Sequence, residues 1–158
     1  MEKSFFVVVF ALALASPAMA AGSSSSSSPP AAANARSTDY DTGVKAVQAG
    51  DYQRALGLLH KVVQAEPRNA DAWNYIGFSE RNLGRFDPSL AAYQKALAIT
   101  PKHRGANEYL CELYLKLGDL EKARIQLAKL QSVCPTDCPE YNDLKKAVEL
   151  YQATPKKG

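Results

Sequence analysis

AWNYIGFSERNLGRFDPSLAAYQKALAITP, residues 72–101, decides the fold. Its large apolar groups, Trp73, Ile76, Leu83, Leu90, Tyr93 and Leu97, recur at spacings of three, four and seven, with small Gly77, Ala92 and Ala96 between them. That periodicity is helical, because side chains three and four apart share one face of an α-helix. Gly84 interrupts the pattern midway, where a left-handed residue ends one helix, and Pro101 stops the next. The stretch therefore reads as two antiparallel helices of about 13 residues joined by a tight turn. "FDPSL" is expected to open the second helix with Asp87 as N-cap and Pro88 at the first helical position.

The same punctuation recurs on both sides. Pro67, Pro101 and Pro135 stand 34 residues apart, and so do Gly50, Gly84 and Gly118. Tyr52, Phe86 and Leu120 keep the register, as do Ala55, Ser89 and Ala123, and Leu59, Tyr93 and Leu127. Agreement of independent residue types on one period, with no insertion, marks a repeat architecture.

These residues resemble the tetratricopeptide repeat family. Its pattern is met in the middle block by Trp73, Ile76, Gly77, Tyr93 and Pro101, with Glu80 in place of the first Tyr and Ser89 in place of the Ala. The last block supplies Leu110, Tyr114, Ala123, Leu127 and Pro135, but has Asn107 in the Trp place and Cys111 in the Gly place. The first block keeps Gly43, Ala55, Leu59 and Pro67, with Asp39 for Trp and Thr42 for Leu. The resemblance implies an all-α superhelix of three hairpins, at 36–69, 70–103 and 104–137. A polar-faced helix over 138–152 would then cap the stack, with Tyr141, Leu144, Val148 and Tyr151 on its inner stripe, and 153–158 as a tail.

Outside the repeats, 1–20 read as an export leader: Phe5 to Ala15 is an unbroken apolar run and "SPAMA" offers a cleavage site after Ala20. Eleven residues reach roughly 16 Å as a helix, against about 30 Å of hydrocarbon, so removal is expected rather than anchoring. Residues 21–35, rich in Ser, Pro and Ala, are expected to form a disordered linker. The expected location is the periplasm, with secretion as the alternative. Within the 158 residues, 19 basic side chains are interspersed with 16 acidic ones, which leaves no footprint for nucleic acid or a membrane surface.

Cys134 and Cys138 flank the junction of the last repeat with the capping helix. In an oxidising compartment a disulfide there would clasp the cap, and several exported repeat proteins are similar in placing a cysteine pair before a "CPEY"-like capping helix. Thiol-disulfide chemistry and a metal half-site are the alternatives, although the spacing is one longer than C-x-x-C, and His60 and His103 fall on repeat surfaces without a matching pair. Cys111 is expected to be a buried free thiol, its pairing with Cys134 being the other possibility.

No nucleophile with a base, phosphate loop or metal constellation is legible, so neither an enzyme nor a cofactor is expected. The resemblance implies instead a concave groove lined by the first helices, holding a peptide or helix of a protein partner. Its expected lining is Tyr40, Val44 and Val47 from block one, Asn74, Phe78 and Arg81 from block two, and Glu108, Glu112, Leu115 and Lys116 from block three. Rival readings are occupancy of the groove by the chain's own linker, a thiol-disulfide participant using Cys134 and Cys138, and a built-in subunit of an envelope complex; a monomer is expected.

Overall fold

The computed structural model describes residues 31–134 and 138–153, with side chains from 38 onward. All regular structure among them is helical: α1 Ala31–Gln48, α2 Tyr52–Ala65, α3 Ala70–Asn82, α4 Phe86–Ile99, α5 Arg104–Lys116, α6 Leu120–Val133 and α7 Pro139–Ala153. They form three hairpins in series, α1/α2, α3/α4 and α5/α6, with α7 packed against α5 and α6. Each hairpin touches its chain neighbours, and α1, α3, α5 and α7 adjoin in turn along one face. This is the nearest-neighbour stacking of a repeat solenoid. None of the described helices is long and apolar enough to cross a membrane.

Three copies of one turn set the hairpins. Gly50, Gly84 and Gly118 have φ of 75°, 75° and 77°. The following amide reaches back five residues each time: Asp51 to Ala46, Arg85 to Glu80 and Asp119 to Tyr114, all at 2.9 Å. This closes each first helix with the Schellman pairing, in which glycine alone takes the left-handed position without strain.

The repeat register also fixes the helix starts, and here one expectation is corrected. Asp51 caps α2 and Asp119 caps α6, accepting from Arg54 N and Lys122 N. The equivalent place in the middle hairpin is Arg85, so α4 begins at Phe86 with no side-chain cap, and Asp87 and Pro88 fall inside its first turn. Pro88 is tolerated there because first-turn amides have no intrahelical partner. The arginine serves otherwise: it reaches the buried carboxylate of Glu80 at 3.4 Å, and so compensates the departure at the first-Tyr place.

Two further boundaries move. α1 begins at Ala31, inside the stretch expected to be disordered, since its alanines are strong helix formers following Pro29 and Pro30. α7 runs from Pro139, at its first position, through Ala153. The leader, the rest of the linker, Pro135 and the end of the tail lie outside the described residues.

Substituted repeat positions keep their contacts by other chemistry. Trp73 Nε1 donates to Pro67 O at 2.9 Å; 34 residues on, Asn107 Nδ2 donates to Pro101 O at 3.1 Å. Asn107 is fully buried and also accepts from Gln126, which satisfies an amide placed where the apolar ring would stand. Across the α3/α4 contact, Ser89 Oγ donates to Gly77 O at 2.7 Å, and across α5/α6, Cys111 Sγ lies 3.3 Å from Ala123 O. Gly77 is required by Tyr93: a Cβ at 77 would meet the ring at 2.7 Å. His103 is not a surface bystander. Its Nδ1 accepts from Ala106 N at 3.1 Å and caps α5, so the proton sits on Nε2, 2.9 Å from Asp71 Oδ1 on α3.

Three apolar clusters run along the stack. Leu59, Val62 and Ile76 centre the first, Tyr93, Leu110 and Leu113 the second, and Leu130, Leu144 and Val148 the third. Trp73 packs against the first two and Tyr114 against the last two, so the core is continuous through the repeats.

Candidate functional site

The face shared by α1, α3, α5 and α7 carries three adjoining recesses. The first, about 310 Å³, lies on α1 and is lined by Tyr40, Asp41, Val44, Lys45 and Gln48. The second, about 400 Å³, is walled by Val47, Gln48, Tyr52, Tyr75, Phe78 and Tyr109. The third, about 320 Å³, lies between α5 and α7, with Glu108 and Glu112 on one side and Pro139, Glu140, Asp143, Leu144 and Ala147 on the other.

The central recess is built from aromatic rings. Phe78 tilts against Tyr109 with centroids 5.0 Å apart and meets Tyr52 edge-on at 6.2 Å; Tyr40 meets Tyr75 edge-on at 6.2 Å. Such pairs hold each ring in a set orientation. The guanidinium of Arg81 lies 5.3 Å from the Phe78 centroid and 5.5 Å from that of Tyr109, and it also grips the carboxylate of Glu112. Arg81 thus joins the floor of the aromatic recess to the wall of the acidic one.

Electrostatics differ between the two ends. Burial, then Asp71, pushes the Tyr40 phenol up to about 12. Burial, followed by Glu112 and Glu140, pushes Glu108 up to about 7, against smaller opposing effects of Arg104 and Arg81. Burial also raises Tyr109, with Glu108 adding to it.

Of the expected groove residues, Tyr40, Val44, Val47, Phe78, Glu108 and Glu112 line these recesses. Asn74 is on the same stripe of α3 but is buried; its Oδ1 has no hydrogen-bond partner, and Gly105 leaves room for its amide beside Tyr109. Two residues stand apart. Lys116 reaches over the Phe86 ring at 5.5 Å, toward the neighbouring hairpin, and Leu115 packs into the third apolar cluster. Sequence reasoning missed Tyr52, Tyr75 and Tyr109 as lining. Tyr75 and Tyr109 stand 34 apart, so the repeat register was the signal that marked them.

Cys134 and Cys138 are joined in the structure, with Cα atoms 5.6 Å apart, ahead of α7. Cys111 is free and buried, and burial pushes its thiol up to about 12, so it stays protonated. No group of three His, Cys, Asp or Glu among the described residues is arranged to hold a metal ion.

With the geometry of hairpins and groove in place, comparison with known proteins defines the class. Two models described as tetratricopeptide repeat match residues 40–103 and 81–148. The chain belongs to the tetratricopeptide repeat family. It is 31% identical over 101 residues to protein FlbA of Caulobacter vibrioides, an alignment covering 64% of this chain and 17% of that protein. The chain thus spans less than a fifth of that relative.

Among solved structures, the fold is similar to the first tetratricopeptide domain of Spaghetti (RPAP3) bound to the HSP90 peptide SRMEEVD. The TM-score is 0.69 at 19% identity, covering 77% of this chain and 98% of that one. It is also similar to the Yersinia enterocolitica type III secretion chaperone SycD in complex with a peptide of the translocator YopD. There the TM-score is 0.65 at 18% identity, covering 75% of this chain and 89% of that one. At these identities the likeness concerns the fold.

Proposed function

We propose that the chain is an exported, non-enzymatic adaptor that holds a segment of a partner protein on the α1/α3/α5/α7 face. One observation carries this reading: the aromatic recess around Phe78 and Tyr109 is preformed, its rings fixed against one another yet open to solvent between the first helices. A preordered apolar recess lowers the cost of ordering on binding and accepts a large side chain. The peptide complexes of RPAP3 and SycD support the use of this fold for peptides. The apolar run and cleavage-like "SPAMA" support export to the cell envelope, where the Cys134–Cys138 pair would be oxidised and clasp α7 to the stack.

The test is affinity capture from envelope extract with the full chain and with Phe78→Ala/Tyr109→Ala, whose folding is checked by helical circular dichroism. Loss of specific partners with helicity kept supports the reading. An unchanged set of partners refutes it.

A further inference from the structure

The acidic end of the groove is only partly neutralised from within. Four carboxylates line the cleft between α5 and α7: Glu108, Glu112, Glu140 and Asp143. Arg81 holds Glu112, and Arg104 Nη2 lies 3.1 Å from Glu140 Oε1. Asp143 has Lys146 at 3.9 Å, both side chains exposed, and Glu108 forms no ion pair among the described residues. Glu108 is therefore left without an ion partner, and Asp143 keeps only an exposed one, along a cleft backed by Leu144 and Ala147. Burial first, then Glu112 and Glu140, displaces Glu108 upward, so the neighbouring carboxylates add to the effect of its burial.

This cleft lies next to the aromatic recess along α5. Tyr109 walls the recess and its neighbours Glu108 and Glu112 wall the cleft, within one turn of α5. Arg81 touches both sides. Packed helices lie about 8–10 Å apart, so the two sites are separated by roughly that distance. An extended chain at about 3.3 Å per residue covers it in about three residues.

We propose that the segment recognised by this groove is basic: it seats a large apolar side chain among Tyr52, Tyr75, Phe78 and Tyr109 and a lysine or arginine, about three residues away, between Glu108 and Asp143. The proposal rests on the adaptor reading above and adds the charge of the ligand. The cation supplies a countercharge to Glu108, which has no ion partner, and reinforces the exposed pairing of Asp143, whereas an acidic segment meets like charge and is rejected. The occupant is another protein rather than the chain's own 21–35, which carries no basic residue.

A random peptide library displayed on phage, panned on the full chain, tests this. Selected peptides are expected to pair a large apolar residue with Lys or Arg about three positions away, and exchanging that residue for Glu should weaken binding about tenfold. Glu108→Gln/Asp143→Asn, both at polar positions, should bring the two peptides to within about twofold. Gln48→Trp, at an exposed rim position, fills the recess without disturbing the core and should abolish binding of both. Peptides that bind through the recess with acidic residues or no charge bias overturn the inference while leaving the groove intact. Failure to select any peptide, or binding indifferent to Gln48→Trp, overturns the adaptor reading and the inference with it.

Discussion

Glu108 is a carboxylate held among carboxylates, and its titration is the clearest residue-scale consequence of the groove. Its value in the folded chain, about 7, lies above the ordinary 4.5, so folding favours the protonated form. The associated stability is fully present below about pH 4.5 and is lost as pH rises through about 7. Thermal melts should therefore show the wild type losing stability over that window and Glu108→Gln losing less, the two converging at the acidic end. Parallel profiles would contradict the placement of Glu108. Glycines give a second contrast. Gly77→Ala drives a methyl into the Tyr93 ring and is expected to cost about 1–3 kcal/mol, whereas Gly57→Ala, with open space on α2, should gain about 0.5–1 kcal/mol. Denaturant unfolding of both variants reads the difference.

At the scale of elements, what distinguishes the helices is how each is started and stopped. Asp51 caps α2 through its side chain while Asp87 lies inside α4, so Asp51→Ala should cost about 1 kcal/mol and Asp87→Ala only a few tenths, read by urea midpoints. Equal losses would restore Asp87 as a cap. The hairpins themselves were legible in sequence, because glycine at the left-handed turn and proline after the second helix are local requirements repeated every 34 residues. The start of α4 was not, since local chemistry favoured Asp87 and only the register of Asp51 and Asp119 pointed to Arg85. The groove stripe of α3 was an implication of the family resemblance rather than of spacing alone. That Arg81 is committed to Glu112, and that Lys116 turns toward Phe86, depends on neighbouring helices that spacing along one helix does not reveal.

For the whole molecule, the packing of the stack and the proposed recognition converge on α7. It completes the third apolar cluster through Leu144 and Val148 and contributes Glu140 and Asp143 to the acidic cleft. Closing the five-residue loop between Cys134 and Cys138 is worth about 2 kcal/mol by chain entropy. Cys134→Ser/Cys138→Ser should thus raise hydrogen exchange in α7 and the end of α6 while α1 to α4 keep their protection, as expected of a stack coupled through nearest neighbours. Unchanged protection of α7 would remove the clasp. The acidic cleft was not foreseen from sequence because it joins residues of α5 to others some thirty positions later. The central claim is that a partner is held on the inner face. Photocrosslinking in native cells from a reactive residue at Val44, on that face, or at Ile125, half-exposed on α6, tests it most directly. The account predicts a discrete partner adduct from 44 and none from 125; adducts from 125 alone would contradict it.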